Sequence, residues 1–368
     1  MRKTYKIFGR RVQINLLTEN KVQKKTILQH FDLYDKINEN NKADFIINIK
    51  NEESNKEINT QNPKIHIETT NGFICIYPKI SVRFRKQELL EADIYSEYQK
   101  PGLKKYLKRL YNIQYNTIDQ RISQILHELV LVPSVYFNNK NFLVHSSAFK
   151  KPGGKAVLIG GTGGSGKTSL EIELCMNRNY SFIADDISVL DSEGNVFPNL
   201  SFPKIYAYNL KNNDVLKKII FKNRSFADKL AWKLKYLLNG SSGVRRNISP
   251  EEVYGKFEKH EVLVEKYYIL LKKNTDKINI EKINAKQASE MTISIIQAEY
   301  WQFNNHILWH EFNRKAINKQ PILNLNEVLS NWKKESEKVF SNIDCYIINI
   351  PLHIEHKKFI TEVADLII

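Results

Sequence analysis

A glycine-rich run at residues 161–168 carries the clearest chemical signal in the sequence. Its residues fit the phosphate-binding pattern G-x-x-x-x-G-K-[ST] at every defined position: Gly161, Thr162, Gly163, Gly164, Ser165, Gly166, Lys167 and Thr168. Glycines let backbone N–H groups converge on phosphate oxygens, because a Cβ would block the required dihedrals and close approaches. Lys167 can then reach the outer phosphates, and the Thr168 hydroxyl can join a magnesium shell. The run, with Ser169 after it, predicts binding of a nucleoside triphosphate with Mg²⁺, without showing that phosphate is transferred.

Three further side chains lie at short sequence distances from Lys167. His145 precedes it by 22 residues, and the adjacent Asp185 and Asp186 follow it by 18 and 19 residues. Beside a bound triphosphate, one carboxylate can hold magnesium and the other can accept the proton of an attacking hydroxyl. Adjacent strand residues point to opposite faces, which suits two different tasks. Two alternatives stay open. His145 could be a strand-end histidine with a backbone partner, and Asp185 and Asp186 could form a magnesium site that only hydrolyses or senses ATP.

The segments around these residues predict an α/β arrangement. An apolar strand over 156–159 precedes the glycine run, and residues 169–176 have the apolar spacing of a helix packed on a sheet. This order places the phosphate at a helix N-terminus. The next strand, 180–184, ends in the two carboxylates, and residues 186–198 predict a β-meander.

The first part of the chain predicts mostly β-structure. Apolar runs up to about residue 90 alternate with Asn-, Glu- and Lys-rich segments at 36–42 and 50–62, which are expected to be solvated loops. No group of residues there suggests chemistry. We therefore expect a β-rich scaffold or substrate-recognition domain over residues 1–120 and a nucleotide-binding domain over residues 121–368.

Length, composition and cysteine content narrow the class of protein. The 368 residues are 42% hydrophobic, which is enough for one large or two ordinary domains with real cores. Cys75, Cys175 and Cys345 are too far apart to suggest a disulfide framework or a metal motif. There is no signal-peptide pattern, and the most apolar helical window is too short to span a bilayer. These features predict a cytoplasmic protein without a membrane span.

The formal net charge of +16 favours anionic partners. ATP, acidic peptides and nucleic acid all qualify, but nucleic acid is supported by the charge alone and is not expected. The basic segment at residues 100–109 could bind an anion, although a solvated helix face is the favoured interpretation. Arg245 and Arg246 are candidate contacts to phosphate or substrate.

Residues 207–238 predict strongly basic helices. Eight Lys or Arg residues lie between Lys211 and Lys235, interleaved with apolar side chains that include Leu230, Leu234 and Leu237. The favoured interpretation packs the apolar stripe in the core and leaves the lysines in water. A helix that lies on a membrane surface is the alternative.

The pattern over residues 143–200 resembles a known family. The segments 145–147 (HSS), 156–160 (AVLIG), 164–168 (GSGKT) and 182–186 (FIADD) are similar to those of the HPr serine kinase/phosphorylase family and of the related nucleotide domain of ATP-dependent PEP carboxykinases. The resemblance implies an α/β fold with a PEP carboxykinase/HPr kinase-like P-loop domain and a mixed sheet. It also accounts for a meander after the acidic pair.

The resemblance also implies residue roles. Asp185 corresponds to the catalytic base, Asp186 to the magnesium-binding aspartate and His145 to the histidine that supports the base, with Gly161 to Thr168 holding phosphates. Ser169 stands where HPr kinases usually have an acidic residue, and the first 120 residues do not resemble theirs. The layout is more similar to HPr-kinase-related proteins of bacterial peptide-modification and polysaccharide clusters. Some of those phosphorylate a serine on a precursor peptide, including lasso-peptide precursors.

The expected function is therefore that of an ATP-dependent kinase. It would transfer the γ-phosphoryl group of Mg-ATP to a serine hydroxyl of a peptide or small protein. The alternative is a nucleotide-controlled binding or regulatory module, or an ATPase without phosphotransfer. A homo-oligomeric assembly is left open.

Overall fold

The protein is a mixed α/β structure with two large mixed sheets. The computed structural model describes residues 1–18, 21–38, 42–50, 58–62, 65–96, 113–115, 118–211 and 213–367. Ten α-helices lie in this part of the chain. The basic segment at 100–109 is outside the described residues.

The first sheet contains nine strands from the N-terminal part of the chain. They are β1 (Arg2–Ile7), β2 (Arg10–Leu16), β3 (Lys36–Ile37), β4 (Phe45–Lys50), β5 (Ile58–Asn62), β6 (His66–Thr69), β7 (Gly72–Tyr77), β8 (Ile80–Lys86) and β9 (Leu90–Ser96). Their order is β3-β1-β2-β4-β9-β8-β7-β6-β5, with β4 parallel to both of its neighbours and the other pairs antiparallel. The expectation of loops throughout 36–42 and 50–62 is wrong for β3, which starts at Lys36, and it is wrong for β5. Its sequence is polar, but strand pairing uses the backbone, which a polar edge strand supplies equally well.

The second sheet contains nine strands from the rest of the chain. They are β10 (Asn141–Val144), β11 (Ser146–Lys150), β12 (Ala156–Gly161), β13 (Ser181–Ala184), β14 (Ser188–Asp191), β15 (Asn195–Phe197), β18 (Val262–Lys273), β19 (Asn279–Ile283) and β20 (Asp344–Pro351). The order is β10-β14-β15-β18-β12-β11-β13, and β20 pairs with both β18 and β19. A separate pair is formed by β16 (Lys204–Tyr206) and β17 (Arg245–Asn247).

The helices cover the sheets and the connections between them. They are α1 (Lys21–Phe31), α2 (Ile118–Leu126), α3 (Lys167–Ile172), α4 (Asp214–Phe221), α5 (Phe226–Asn239), α6 (Pro250–Tyr254), α7 (Ala285–Glu299), α8 (Trp301–Ala316), α9 (Leu325–Phe340) and α10 (His356–Ile367). Short π-helical turns continue α2 and α3, at His127–Leu131 and Glu173–Asn177. No helix in the described ranges is both long and apolar enough to cross a bilayer.

The basic helices predicted over 207–238 are present as α4 and α5, but their apolar side chains do not all face the core. Trp232 is buried, whereas Leu230, Leu234 and Leu237 on α5 are exposed. The expectation that the whole apolar stripe packs inside is wrong for these leucines, because α5 contacts the protein through its opposite side.

Strand direction brings distant segments to one edge of the second sheet. Strand β11 lies between β12 and β13 and is antiparallel to both. The carboxyl ends of β12 and β13 therefore lie at the same edge as the amino end of β11. The glycine run follows β12, the acidic pair follows β13, and His145 immediately precedes β11. Ligands of α/β sheets commonly bind at such an edge.

A buried ionic network joins the first sheet to α8. The Glu68 carboxylate on β6 accepts a 2.8 Å hydrogen bond from His310 Nδ1 and pairs with Arg314 Nε at 3.0 Å. His310 Nε2 accepts from the Ile322 N–H at 3.0 Å, so the His310 ring carries its proton on Nδ1. These side chains are buried, and removing one charged partner would leave another uncompensated.

Buried histidines give the stability of the fold a testable pH dependence. Burial lowers the pKa of His127 to about 4, and its ring donates to the Ser123 carbonyl and accepts from the Tyr34 hydroxyl. The unfolded chain binds a proton near pH 6.5 that folded His127 excludes, so this stabilisation is complete above pH 6.5 and is lost as the pH falls toward 4. Between pH 7.5 and 5 we expect the wild type to lose about 2 kcal/mol more free energy of unfolding than His127→Gln.

Urea unfolding at several pH values measures this difference. The comparison with a variant is needed because the buried carboxyl of Glu171, whose pKa is raised, has the opposite pH dependence. His353→Gln, at an exposed histidine, is the matched control for the loss of one imidazole. Equal slopes of the free energy of unfolding against pH for the wild type and His127→Gln would contradict the lowered pKa of His127.

Candidate active site

The loop between β12 and α3 has a backbone that only glycine adopts easily. Gly161, Gly164 and Gly166 have φ values of 135°, 75° and 108°. A Cβ on Gly166 would lie 2.4 Å from the Phe359 ring, and one on Gly161 would lie 2.8 Å from the Leu270 carbonyl oxygen. Gly161 and Gly166, the two glycines that define the motif, are thus required by both their dihedrals and their close neighbours, as expected for a phosphate loop.

Lys167 is folded back over this loop. Its Nζ donates to the carbonyl oxygens of Gly161 at 2.9 Å and Thr162 at 3.2 Å. Burial lowers the pKa of Lys167, and the charges of Asp186 and Asp185 partly oppose that change. The Ser165 hydroxyl is also buried and has no hydrogen-bond partner among the described residues. An ammonium and an unused hydroxyl beside a glycine loop fit a bound phosphate group.

Ser169 faces another part of the protein. Its hydroxyl accepts a 2.9 Å hydrogen bond from Asn209 Nδ2 in the turn before α4. A cleft of about 560 Å³ lies beside it, and Met176 and His356 are among the lining residues. This volume is in the range of small-molecule sites and could take the nucleoside part of a nucleotide.

Asp185 is buried and touches the first turn of α3. Its Oδ1 accepts from the hydroxyls of Ser147 and Thr168, both at 3.3 Å, and its Oδ2 accepts from the Lys204 N–H at 3.2 Å. Burial, followed by the charge of Asp186, raises the pKa of Asp185. Within the described chain, no group of three or more His, Cys, Asp or Glu side chains could hold a metal alone. The Thr168 and Asp185 oxygens fit Mg²⁺ that is shared with substrate phosphates.

Asp186 has a different environment. Its side chain is 45% exposed, and its backbone has φ 69°, which is uncommon for a residue other than glycine. Oδ2 lies 2.9 Å from Lys204 Nζ, and Oδ1 lies 3.1 Å from His145 Nε2. The Lys204 ammonium, helped by His145, holds the pKa of Asp186 well below its usual range. Asp186 is therefore an ionised carboxylate that solvent can reach.

His145 connects the phosphate loop to Asp186. Its Nδ1 lies 2.8 Å from the Gly161 carbonyl oxygen, which can only accept, so Nδ1 carries a proton. The expectation that His145 supports Asp185 is wrong, because its other nitrogen contacts Asp186. Both aspartates lie in the bend after β13, where the Asp185 side chain contacts α3 and the positive φ of Asp186 accompanies a side chain that turns toward His145.

Two residues of this site were missed from the sequence. Lys204 lies 3.0 Å from Glu128 as well as next to Asp186, and these two carboxylates raise its pKa well above the usual value although burial lowers it. Glu171 is fully buried and accepts a 2.6 Å hydrogen bond from Tyr254. Burial, and after it the charge of Asp185, raises the pKa of Glu171 well above its usual range.

Only one of the two had a signal in the sequence. Glu171 follows Thr168 by three residues on α3, and this helical spacing places both on one face. Lys204 belongs to no motif, so the fold alone brings it to Asp186.

A third missed residue, Glu299, contacts the phosphate loop itself. The Gly163 N–H donates a 2.7 Å hydrogen bond to Glu299 Oε1, across 136 residues of sequence. Glu299 is the last residue of α7. The carboxylate of Glu299 thus occupies a backbone N–H, and phosphate oxygens bind N–H groups of this kind in such loops. A nucleotide that uses this N–H must displace Glu299.

We expect Glu299→Gln to bind ATP about 5-fold more tightly than the wild type. The neutral amide forms a weaker hydrogen bond to Gly163 and does not repel phosphate, a difference of about 1 kcal/mol. Titration with a fluorescent ATP analogue measures the dissociation constant. Glu290→Gln on the same helix, where Glu290 pairs with Lys333, is the matched control and should change nothing. Unchanged or weaker affinity in Glu299→Gln would show that the contact does not compete with the nucleotide.

The two arginines predicted to contact phosphate differ in position. Arg246 is fully buried, lies 4.9 Å from the Trp232 ring centroid, and pairs with Asp228. The expectation is wrong for Arg246, because its guanidinium is enclosed in the core. Arg245 is half-buried and donates to the Tyr206 hydroxyl at 2.9 Å, so its contact to substrate stays a prediction.

No protein-family model matches the chain, and no curated protein is significantly similar to it in sequence. What the site can do follows from its geometry. A phosphate loop, an oxygen pair for a divalent cation, and a partly exposed carboxylate with a histidine partner lie at one sheet edge. Groups of these types are suited to binding a nucleoside triphosphate and to deprotonating a group that approaches its outer end.

Proposed function

We propose that the protein is an ATP-dependent kinase that transfers the γ-phosphoryl group of Mg-ATP to a serine hydroxyl of a peptide or small protein. The observation that carries the proposal is the position of Asp186, an ionised and partly exposed carboxylate beside the Thr168–Asp185 pair. Binding of Mg-ATP alone requires no such second carboxylate, whereas taking a proton from an attacking hydroxyl does. The resemblance of residues 143–200 to HPr kinases and PEP carboxykinases supports the same chemistry and a P-loop domain of that kind.

The phosphate loop would bind the triphosphate. The backbone of Gly161 to Thr168 would hold phosphate oxygens, and Lys167 would exchange its two carbonyl partners for them. Thr168 and Asp185 would hold Mg²⁺, which neutralises phosphate charge when it is bound. These contacts place positive charge where the transferred group develops negative charge.

We assign the base to Asp186 rather than to Asp185. Asp185 is buried, and three hydrogen-bond donors already occupy its oxygens. Asp186 is reached by solvent, and His145 and Lys204 hold it in one orientation. The assignment rests on this position, since the charge of Lys204 lowers the pKa of Asp186 and makes the carboxylate a weaker base. The hydroxyl proton would pass to an Asp186 oxygen, and the hydroxyl oxygen would form the new bond to phosphorus as the bond to ADP breaks.

The space next to the acidic pair suits a small acceptor group. A recess of about 20 Å³ is lined by both aspartates, Lys204 and Tyr300, among others. It holds a group the size of a water molecule, which matches a hydroxyl better than a ring. The basic character of the whole chain favours an acidic peptide around the accepting serine.

The test is transfer of label from γ-labelled ATP. The full chain would be incubated with Mg²⁺ and with peptides encoded by neighbouring genes, and label on a serine would support the kinase. Release of labelled phosphate without labelled peptide would indicate an ATPase. Tight ATP binding with neither product would indicate a nucleotide-controlled module, the alternative considered from the sequence.

A further inference from the structure

Helix α5 carries an apolar stripe that points away from the protein. At about 100° per residue, five large apolar side chains fall within an arc of about 120°. These side chains are Phe226, Leu230, Leu234, Leu237 and Leu238. Phe226, Leu237 and Leu238 are 82%, 70% and 81% exposed, and the remaining two are about half exposed. Such values mean that no described element covers the stripe.

The opposite side of α5 holds it on the protein. Trp232 is the only side chain of this helix that is buried, and Asp228 pairs with Arg224 and Arg246. On a helical wheel these two anchoring residues are centred about 160° from the middle of the apolar stripe. The helix is therefore fixed with its apolar side outward, rather than loosely docked with the wrong face exposed.

Lysines follow one border of the stripe. Lys229 and Lys233 are exposed and lie one turn apart, directly beside Phe226 and Leu237 on the wheel. An apolar face with long cationic side chains at its edge is typical of helices that lie in the interface of a membrane. Their methylene stems can follow the apolar face while the ammonium groups reach headgroup phosphates.

The charge and shape of this surface indicate which kind of partner could bind it. A second copy that pairs antiparallel through the same stripe would bring the two sets of lysines together, which repels. An amphipathic peptide needs a hydrophobic groove, whereas these side chains project from a single helix. A planar anionic surface complements both the projecting apolar side chains and the lysines. The net charge of +16 adds a long-range attraction to it.

We propose that α5 binds the surface of membranes that contain anionic lipids. Phe226, Leu237 and Leu238 insert between the lipid chains, and Lys229 and Lys233 contact the headgroups. The helix lies on the membrane and does not cross it. This property is independent of the kinase proposal, because none of these residues belongs to the phosphate site.

Sedimentation with vesicles tests the proposal on the full chain. The wild type should bind vesicles of phosphatidylcholine with about 30% phosphatidylserine at least 10-fold more tightly than vesicles of phosphatidylcholine alone, and salt should weaken this binding. Leu237→Ser with Leu238→Ser should lose at least about 10-fold in affinity. Lys229→Glu with Lys233→Glu should lose about 25-fold or more, since each lysine near the surface contributes about 5-fold.

A matched control uses exposed apolar residues elsewhere. Leu308→Ser with Phe312→Ser on α8 removes a similar exposed apolar surface and should leave vesicle binding unchanged. Equal thermal unfolding temperatures for all variants show that each is folded. Absence of wild-type binding to anionic vesicles would overturn the proposal, as would binding that survives both α5 double variants. If the wild type is a dimer that does not bind vesicles, and Leu237→Ser with Leu238→Ser is a monomer, the stripe is instead an interface with a second copy.

Discussion

Asp186→Asn should reduce phosphoryl transfer by about 10²- to 10⁴-fold, the usual contribution of a general base, without weakening ATP binding. The amide has nearly the shape of the carboxylate, and asparagine tolerates the positive φ of this position. It cannot accept the hydroxyl proton. Single-turnover transfer from γ-labelled ATP, with the ATP dissociation constant measured separately, distinguishes lost chemistry from lost binding.

Asp185→Asn is the matched comparison for this prediction. Because Asp185 touches the Thr168 hydroxyl, its loss should appear first as a higher Mg²⁺ requirement for ATP binding. The opposite pattern would restore the roles implied by the family resemblance: Asp185→Asn with normal Mg-ATP binding and no transfer, and Asp186→Asn with normal turnover. Normal transfer in both variants would exclude either carboxylate as the base.

Lys167→Ala should weaken ATP binding by about 100-fold and abolish activity. The ammonium is the cation of the phosphate loop and would form charge-assisted hydrogen bonds to the triphosphate, worth about 3 kcal/mol. The variant also leaves the Gly161 and Thr162 carbonyl oxygens without their Nζ donor. Calorimetric titration with Mg-ATP gives the change in affinity.

A folding control separates these two effects of the lysine. Lys155→Ala, at an exposed lysine just before β12, should bind ATP normally. Without ATP, Lys167→Ala should unfold at the same temperature as the wild type. If ATP raises the unfolding temperature of the wild type but not that of Lys167→Ala, the variant is folded and has lost ATP binding. Normal affinity in a folded Lys167→Ala protein would mean that the loop does not bind the triphosphate through this residue.

Much of the second sheet could be predicted because its signals are local. The apolar run before Gly161, the helix that begins at Lys167 and the strand before Asp185 each depend on residues within a few positions of one another. The polar strand β5 and the outward-facing leucines of α5 could not be predicted in the same way. The pairing of β5 and the exposure of the α5 leucines depend on which other elements lie next to them, and the periodicity of the sequence does not contain that information.

The same division applies to the site. Residue types and their order were enough to propose a phosphate loop, a histidine and a carboxylate pair at one place, because glycine dihedrals and strand-end positions are local properties. The partner of each side chain was settled by strand order and long-range packing. His145 meets Asp186 instead of Asp185 in the bend after β13, and Lys204 and Glu299 arrive from remote segments. Side-chain partners of this kind depend on contacts between elements that are far apart in the chain, so they exist only once the whole sheet and its helices have assembled.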